Sequence, residues 1–155
     1  MRIRTHFIQN IRNSRREAVE KEAGVAVGLK DGEVPHYRNL GRTDRIFDAL
    51  AATTIRNFIF MNDLDTNVTK WSASAVDYFG LPGQYIYDTQ KVWEDLIHPD
   101  DRTVFEKDID DVFSGRKKYH DVEYRMRNKK GEYVVCTCRG LITKKENGDP
   151  EFFVG

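Results

Sequence analysis

The chain is expected to fold as an α+β domain, with hairpin-connected strands and helices that each offer one apolar stripe. Three stretches lead to that expectation. Trp93-Glu94-Asp95-Leu96-Ile97-His98-Pro99-Asp100-Asp101-Arg102 reads as a short helix turning a corner into a longer one. Pro99 suits a first helical position, where its fixed φ is already helical and its missing N–H is no loss. Asp100 and Asp101 then fall where the helix dipole favours carboxylates. Beyond the corner Val104, Phe105, Ile109, Val112 and Phe113 recur at helical spacing, with Glu106, Lys107, Asp108, Asp110 and Asp111 mainly on the wet side. Residues 119–127 alternate instead: Val122, Tyr124 and Met126 share one face, and Asp121, Glu123, Arg125 and Arg127 share the other. Asn147-Gly148, between two further strand-like runs, is a strong hairpin turn.

The remaining elements follow in order. Residues 2–23 form a charged helix with Ile3, Phe7, Ile11 and Ala18 loosely on one face, a stripe too thin to be stable without a partner surface. Val25 to Leu29 is a short extended run, Lys30-Asp31-Gly32-Glu33 a turn, and Pro35 to Arg42 a linker, so 1–42 reads as an N-terminal helix and linker. Thr43 or Asp44 caps the next helix, 43–57, in which Ile46, Phe47, Leu50 and Ala51 make a compact patch and which Asn57 closes. Phe58-Ile59-Phe60-Met61 is apolar at both parities, so a strand there is covered on both faces. Core helices cover one face; the helix at 43–57 is the nearest cover for the other. Asp63 to Asn67 is a turn, Val68 to Trp71 a strand, and Ser72 caps a small helix that Gly80 ends. Leu81 to Tyr87, with Pro82 and Gly83, reads as an irregular crossing. After the helix pair, which Ser114-Gly115 terminates, strand 119–127 turns through Asn128–Gly131 into strand 132–142, and 151–155 begins a closing strand.

Four of these stretches, in this order, resemble a PAS domain. They are Trp71-Ser72-Ala73-Ser74-Ala75 with Tyr78-Phe79-Gly80; the Trp93 to Arg102 corner; Val122 to Arg127 with Lys130-Gly131-Glu132-Tyr133; and Glu151-Phe152-Phe153-Val154-Gly155. The resemblance spans about Phe58 to Gly155 and implies a five-stranded antiparallel sheet with helices packed across one face. The 58–155 domain would carry 43–57 as an N-terminal cap helix. A pocket between sheet and helices is implied, lined by Phe60, Trp93, Phe105, Ile109, Val112, Tyr124 and Met126, with Asn62 as an inward polar group of the same parity as Phe60. The run Tyr78-Phe79-Gly80-Leu81-Pro82 with the corner resembles PAS modules joined to GGDEF diguanylate cyclases. An output domain beyond Gly155 is therefore expected, the chain being a sensory piece of a longer protein. A histidine kinase or transcription regulator would serve as output equally well.

Composition narrows the function. Lys plus Arg equals Asp plus Glu at 25 each, so overall charge points to neither nucleic acid nor an acidic substrate. The first 22 residues, with six Lys/Arg against three Glu, are mildly basic and read as a solvated face. No apolar run reaches the roughly 18 residues of a membrane span, and no apolar stretch follows the N-terminal charges as in a signal peptide. Cys136 and Cys138, one residue apart, make no disulfide framework, and a cytoplasmic location is expected.

The chemistry-bearing residues have structural readings. Cys136 and Cys138 share a strand face with His120 on the neighbouring strand, but three ligands without a fourth make a weak metal site, and buried thiols acting as small hydrophobes fit better. His98 belongs to the corner, where it serves the fold rather than a haem. Gln84-Tyr85-Ile86-Tyr87 stands where flavin-binding PAS domains carry a reactive cysteine motif. No phosphate-cradling glycine loop, His-Glu-x-x-His or Gly-x-Ser-x-Gly occurs. The expectation is a non-catalytic sensor without coloured cofactor or metal, holding an uncharged metabolite or a filled core. The doubly apolar strand further implies a homodimer through Ile46, Phe47, Leu50, Ile59, Met61 and Val135.

Overall fold

The closing strand does not sit at an edge; it runs into the middle of the sheet and joins its two halves. The computed structural model describes residues 42–54 and 57–155. The helix expected at 2–23, the run at 25–29 and the linker up to residue 41 lie outside the described residues. In chain order the elements are α1 (Arg42–Thr53), β1 (Phe60–Asp63), β2 (Val68–Trp71), α2 (Ala73–Phe79), β3 (Tyr85–Tyr87), α3 (Thr89–Glu94), a 3-10 turn (Pro99–Asp101), α4 (Arg102–Phe113), β4 (Tyr119–Arg127), β5 (Tyr133–Lys144) and β6 (Pro150–Val154). The sheet has six strands in the order β3-β2-β1-β6-β5-β4, every pair antiparallel.

Most punctuation follows the local chemistry. Ser72 caps α2 by accepting from the Ala75 N–H, and Gly80, at φ 68°, ends it in the left-handed region. Asn128 accepts from the N–H groups of Lys130 and Glu132 and so shapes the β4–β5 turn. Side chains alternate across the strands. Phe60, Asn62, Thr69, Trp71, Ile86, Phe153 and the even-numbered residues of β4 and of β5 up to Ile142 face the helices, and Met61, Val68, Lys70 and Tyr85 face the other way.

The structure corrects several expectations. The sheet has six strands, not five, because Tyr85-Ile86-Tyr87 pairs with Lys70, Thr69 and Val68; Pro82 and Gly83 disguise the strand that follows them. β1 begins at Phe60 rather than Phe58, and α1 ends at Thr53 rather than Asn57. Asp44 does not cap α1. It is buried against the outer face, where Lys70 Nζ lies 3.0 Å from Asp44 Oδ1 and 2.7 Å from Asp48 Oδ1, and Tyr85 Oη donates to Asp44 Oδ2 at 2.6 Å. Phe47 is buried under the Lys70 ammonium, whereas Ile46 and Leu50 of the expected patch are exposed. Burial lowers the Lys70 pKa, but its bonds to Asp48, Tyr85 and Asp44 prevail and hold it at about 12. On α4 the apolar stripe is narrower than the spacing implied: Phe105 and Val112 are buried, Val104 and Phe113 exposed, and Asp108 turns inward. Asp108 meets His120 of β4 there, at 2.6 Å.

Candidate ligand-binding site

The inner face of the sheet divides into an aromatic half and a polar half. The aromatic half grows from β2 and α3. Trp93 stacks on Trp71 with ring centroids 4.4 Å apart and meets Phe79 edge-on at 5.3 Å. Trp93 Nε1 donates to Tyr124 Oη at 2.9 Å, and Trp71 Nε1 donates to Thr89 Oγ1 at 3.0 Å, so each indole has its partner within the fold. Burial pushes the Tyr124 phenol well above its ordinary pKa. Of the residues expected to line the pocket, Trp93, Phe105, Tyr124 and Met126 belong to this buried cluster; Phe60 and Ile109 pack half-buried against it, and Val112 is buried nearby along α4. Trp71, Ala75, Phe79, Leu81, Ile86 and Ile97 complete the cluster and were not among the residues expected to line the pocket.

The polar half lies around Phe153, where β6 and β4 face the later part of α4 and β1 and β2 adjoin. Asn62 turns inward beside Phe60, as its parity implies, and stands opposite Thr69 on one side and Phe153 on the other. Thr69 is fully buried. The Phe153 ring contacts Phe60 at 5.2 Å, Phe113 at 5.6 Å and His120 at 5.8 Å between centroids. It lies flat against β5 because Gly140 offers no side chain: a Cβ there would come within 2.9 Å of the ring and 2.8 Å of Val154 O. His120, 1% exposed, sets Nδ1 2.6 Å from Asp108 Oδ2, and Lys117 binds the other oxygen of Asp108. Burial pushes the imidazole pKa down; Asp108 opposes that shift, but Lys117 already matches its charge. Asp108 is held below the usual carboxylate range: burial opposes this, and the bonds from Lys117 and His120 outweigh it. The Oδ1 of Asn62, Oγ1 of Thr69 and Nε2 of His120 are all buried without a hydrogen-bond partner among the described residues. Strand parity counted back from Trp71 would have placed Thr69 here; nothing local in the sequence marks Phe153 or Asp108.

The other singled-out residues fall elsewhere. Arg125 faces away from Tyr124 and Met126, as expected, and is engaged by Asp101, which accepts from its backbone N–H, Nε and Nη2 at 2.9, 2.8 and 2.7 Å. Those bonds hold the Asp101 carboxyl well below its usual range. The segment before Pro99 also pairs with the free edge of β4, through His98 N–H to Arg125 O and Arg127 N–H to Leu96 O, both 2.9 Å. His98 accepts from the Asp100 N–H and packs on Tyr133. Cys136 and Cys138 lie opposite Tyr124 and Val122 on the inner face, and burial raises both thiols, Cys138 to about 11. No group of three His, Cys, Asp or Glu able to hold a metal occurs among the described residues. Of the residues expected at a dimer surface, Phe47 and Met61 are buried within the chain and Ile59 half-buried, while Ile46, Leu50 and Val135 are 52%, 57% and 65% exposed.

Comparison with known proteins matches this architecture. No curated protein matches the chain. Among solved structures, a sensory box histidine kinase/response regulator from Burkholderia thailandensis E264 is similar, with 24% identity, a TM-score of 0.50, and coverage of 63% of this chain and 72% of that one. The N-terminal domain of a diguanylate cyclase with PAS/PAC sensor from Marinobacter aquaeolei is also similar, with 17% identity, a TM-score of 0.53, and coverage of 63% of this chain and 89% of that one. The profile of the PAS fold family matches residues 68–155, and with more than half of its length inside that match the chain belongs to the PAS fold family.

Proposed function

We propose that this domain is the ligand-reading sensory module of a longer signalling protein, with a GGDEF diguanylate cyclase as its output. The observation that supports ligand reading is the division of the inner face. A buried aromatic cluster sits beside a half in which three buried side-chain atoms, Asn62 Oδ1, Thr69 Oγ1 and His120 Nε2, have no partner among the described residues. Buried polar atoms in folded proteins are nearly always hydrogen-bonded, so these call for an additional group. Support for the cyclase output is the likeness of the Tyr78 to Pro82 run and the Trp93 corner to such modules, together with the similar N-terminal domain of a diguanylate cyclase. Because another similar structure comes from a sensory histidine kinase, a kinase is the competing output.

The signal passes outward through α1 and the sheet in this reading. Two copies meet through Ile46 and Leu50 on α1 and Val135 on β5, the exposed members of the expected surface. A small change on the inner face then alters the pairing of β1 with β2, and the outer side of β2 carries the cap helix through Lys70. The test uses the full-length protein, extended past Gly155. Conversion of GTP to cyclic di-GMP that changes when small molecules bind the inner face supports the reading. Autophosphorylation from ATP, with no GTP turnover, moves the output to a kinase. A second reading, a ligand-free dimerisation module, draws on the Trp71–Trp93 stack that fills the aromatic half. It requires that no small molecule perturb the inner face.

A further inference from the structure

The polar half of the inner face has enough chemistry to specify what it would bind, given that the domain reads a ligand at all. Asn62 and Thr69 are directly opposed on β1 and β2. In such a pair the Cβ atoms stand about 4.5–5.5 Å apart, so one small group can reach both side-chain oxygens. A threonine hydroxyl can donate to an amide carbonyl, yet Asn62 Oδ1 and Thr69 Oγ1 are both buried without a partner among the described residues. On the far side of the Phe153 ring stands His120. Its Nδ1 faces an ionised carboxylate at 2.6 Å and so carries the proton, which leaves Nε2 with a lone pair. Burial keeps the ring neutral in that tautomer. Two acceptors, Asn62 Oδ1 and His120 Nε2, therefore flank one aromatic ring, with a hydroxyl beside the first.

Charge is the second constraint. Asp108 is already bound by His120 and Lys117, Arg125 is engaged with Asp101 on the other face, and Lys70 lies under α1. A carboxylate would meet two acceptors and no cation, and an ammonium would meet a carboxylate whose charge is already matched. Either would bury a charge without a partner, at heavy cost. Strands are spaced about 4.8 Å apart, so the path from β1 to β4 over Phe153 is that of an elongated molecule.

We propose that Asn62, Thr69 and His120 form a binding strip for an elongated, neutral small molecule bearing hydroxyl or N–H donors at both ends, laid across the Phe153 ring. One end donates to Asn62 Oδ1 and exchanges hydrogen bonds with Thr69 Oγ1; the other donates to His120 Nε2. Polyols and uncharged nucleosides have this character. The proposal rests on the ligand-reading function above and names its chemistry.

The test titrates the full 155-residue chain with matched probes, observed through the ¹⁵N resonances of the His120 ring and of the Asn62 side-chain amide. Sorbitol, its carboxylate analogue gluconate and its amine analogue glucamine share one carbon skeleton and differ in charge; uridine extends the neutral set. A neutral probe is expected to shift Nε2 of His120 and the Asn62 amide together, and to bind at least tenfold more tightly than either charged analogue. Thr69→Val and Asn62→Leu should each weaken that binding about tenfold or more. Neither variant should lower the thermal midpoint of the free chain, because each removes a buried polar atom that the fold itself leaves unsatisfied. Tighter binding of gluconate or glucamine overturns the proposal while leaving the sensor intact. So does a neutral probe that binds without shifting His120, and so does a crystal structure of the probe-soaked chain with only ordered water between Asn62 and Thr69. If no small molecule of any charge perturbs the inner face, the proposal and the ligand-reading function fall together.

Discussion

Replacing Trp93 with alanine tests the organisation of the core most directly. The indole is buried, stacked on Trp71 and set edge-on to Phe79, and it donates to the Tyr124 hydroxyl. Truncating a large aromatic in a packed core costs about 3–5 kcal/mol. Loss of two ring contacts and of the donor to a buried phenol places Trp93→Ala in the upper half of that range, about 4–5 kcal/mol. Trp93→Phe keeps a ring against Trp71 and loses the indole N–H, and is expected to cost about 1–2 kcal/mol. Pro99→Ala is the control: Pro99 is exposed at the start of a 3-10 turn held by other bonds, and its loss should cost under about 1 kcal/mol. Urea unfolding followed by far-ultraviolet circular dichroism reads all three without depending on tryptophan emission. With a slope of about 2 kcal/mol per molar, Trp93→Ala should lower the midpoint by about 2 M. A shift no larger than that of Pro99→Ala would show that the indole does not hold the two halves of the core together, and the account of the aromatic half would be wrong.

Five further outcomes are expected. Lys70→Ala should cost about 3–5 kcal/mol, because it leaves the buried Asp44 carboxylate without its ammonium; Lys70→Met combined with Asp44→Leu should cost much less, which a double-mutant cycle in urea would show. Stability should fall as pH drops below about 6.5, where unfolded histidine takes up protons that burial denies to His120, and His120→Phe should remove that step. A second loss should come below the ordinary aspartate range of about 3.9, where unfolded carboxyls protonate while Asp101 stays charged against Arg125, and Asp101→Asn should reduce it, leaving the part that Asp108 contributes. Light scattering at high protein concentration should give a dimer mass that Ile46→Glu with Leu50→Glu reduces to a monomer; a monomer for the unaltered chain would remove the dimer from the proposal. The purified chain should show no visible absorption band, and a haem or flavin spectrum at stoichiometric level would overturn the expectation of no coloured cofactor.

The sequence alone determined the elements whose signals are local. The Pro99 corner, the Ser72 cap, the left-handed Gly80 and the alternation along 119–127 each depend on neighbours within a few residues, and each stands where it was expected. Parity along β1 likewise turned Asn62 inward. What the sequence did not disclose depends on partners far along the chain. Asp44 reads as a helix cap until Lys70, 26 residues later, draws it onto the sheet. Asp108 reads as a wet-face acid until His120 and Lys117 receive it. Tyr85-Ile86-Tyr87 is too short and too close to Pro82 and Gly83 to announce a strand, and becomes one only because β2 offers it an edge. The polar strip is of the same kind. Asn62, Thr69, Phe153 and His120 come from four strands, and the entry of β6 between β1 and β5 sets Phe153 between Asn62 and His120. Helix and turn chemistry is written over a few residues, whereas the burial of a charge or an unpaired amide is decided by what the finished sheet places opposite it.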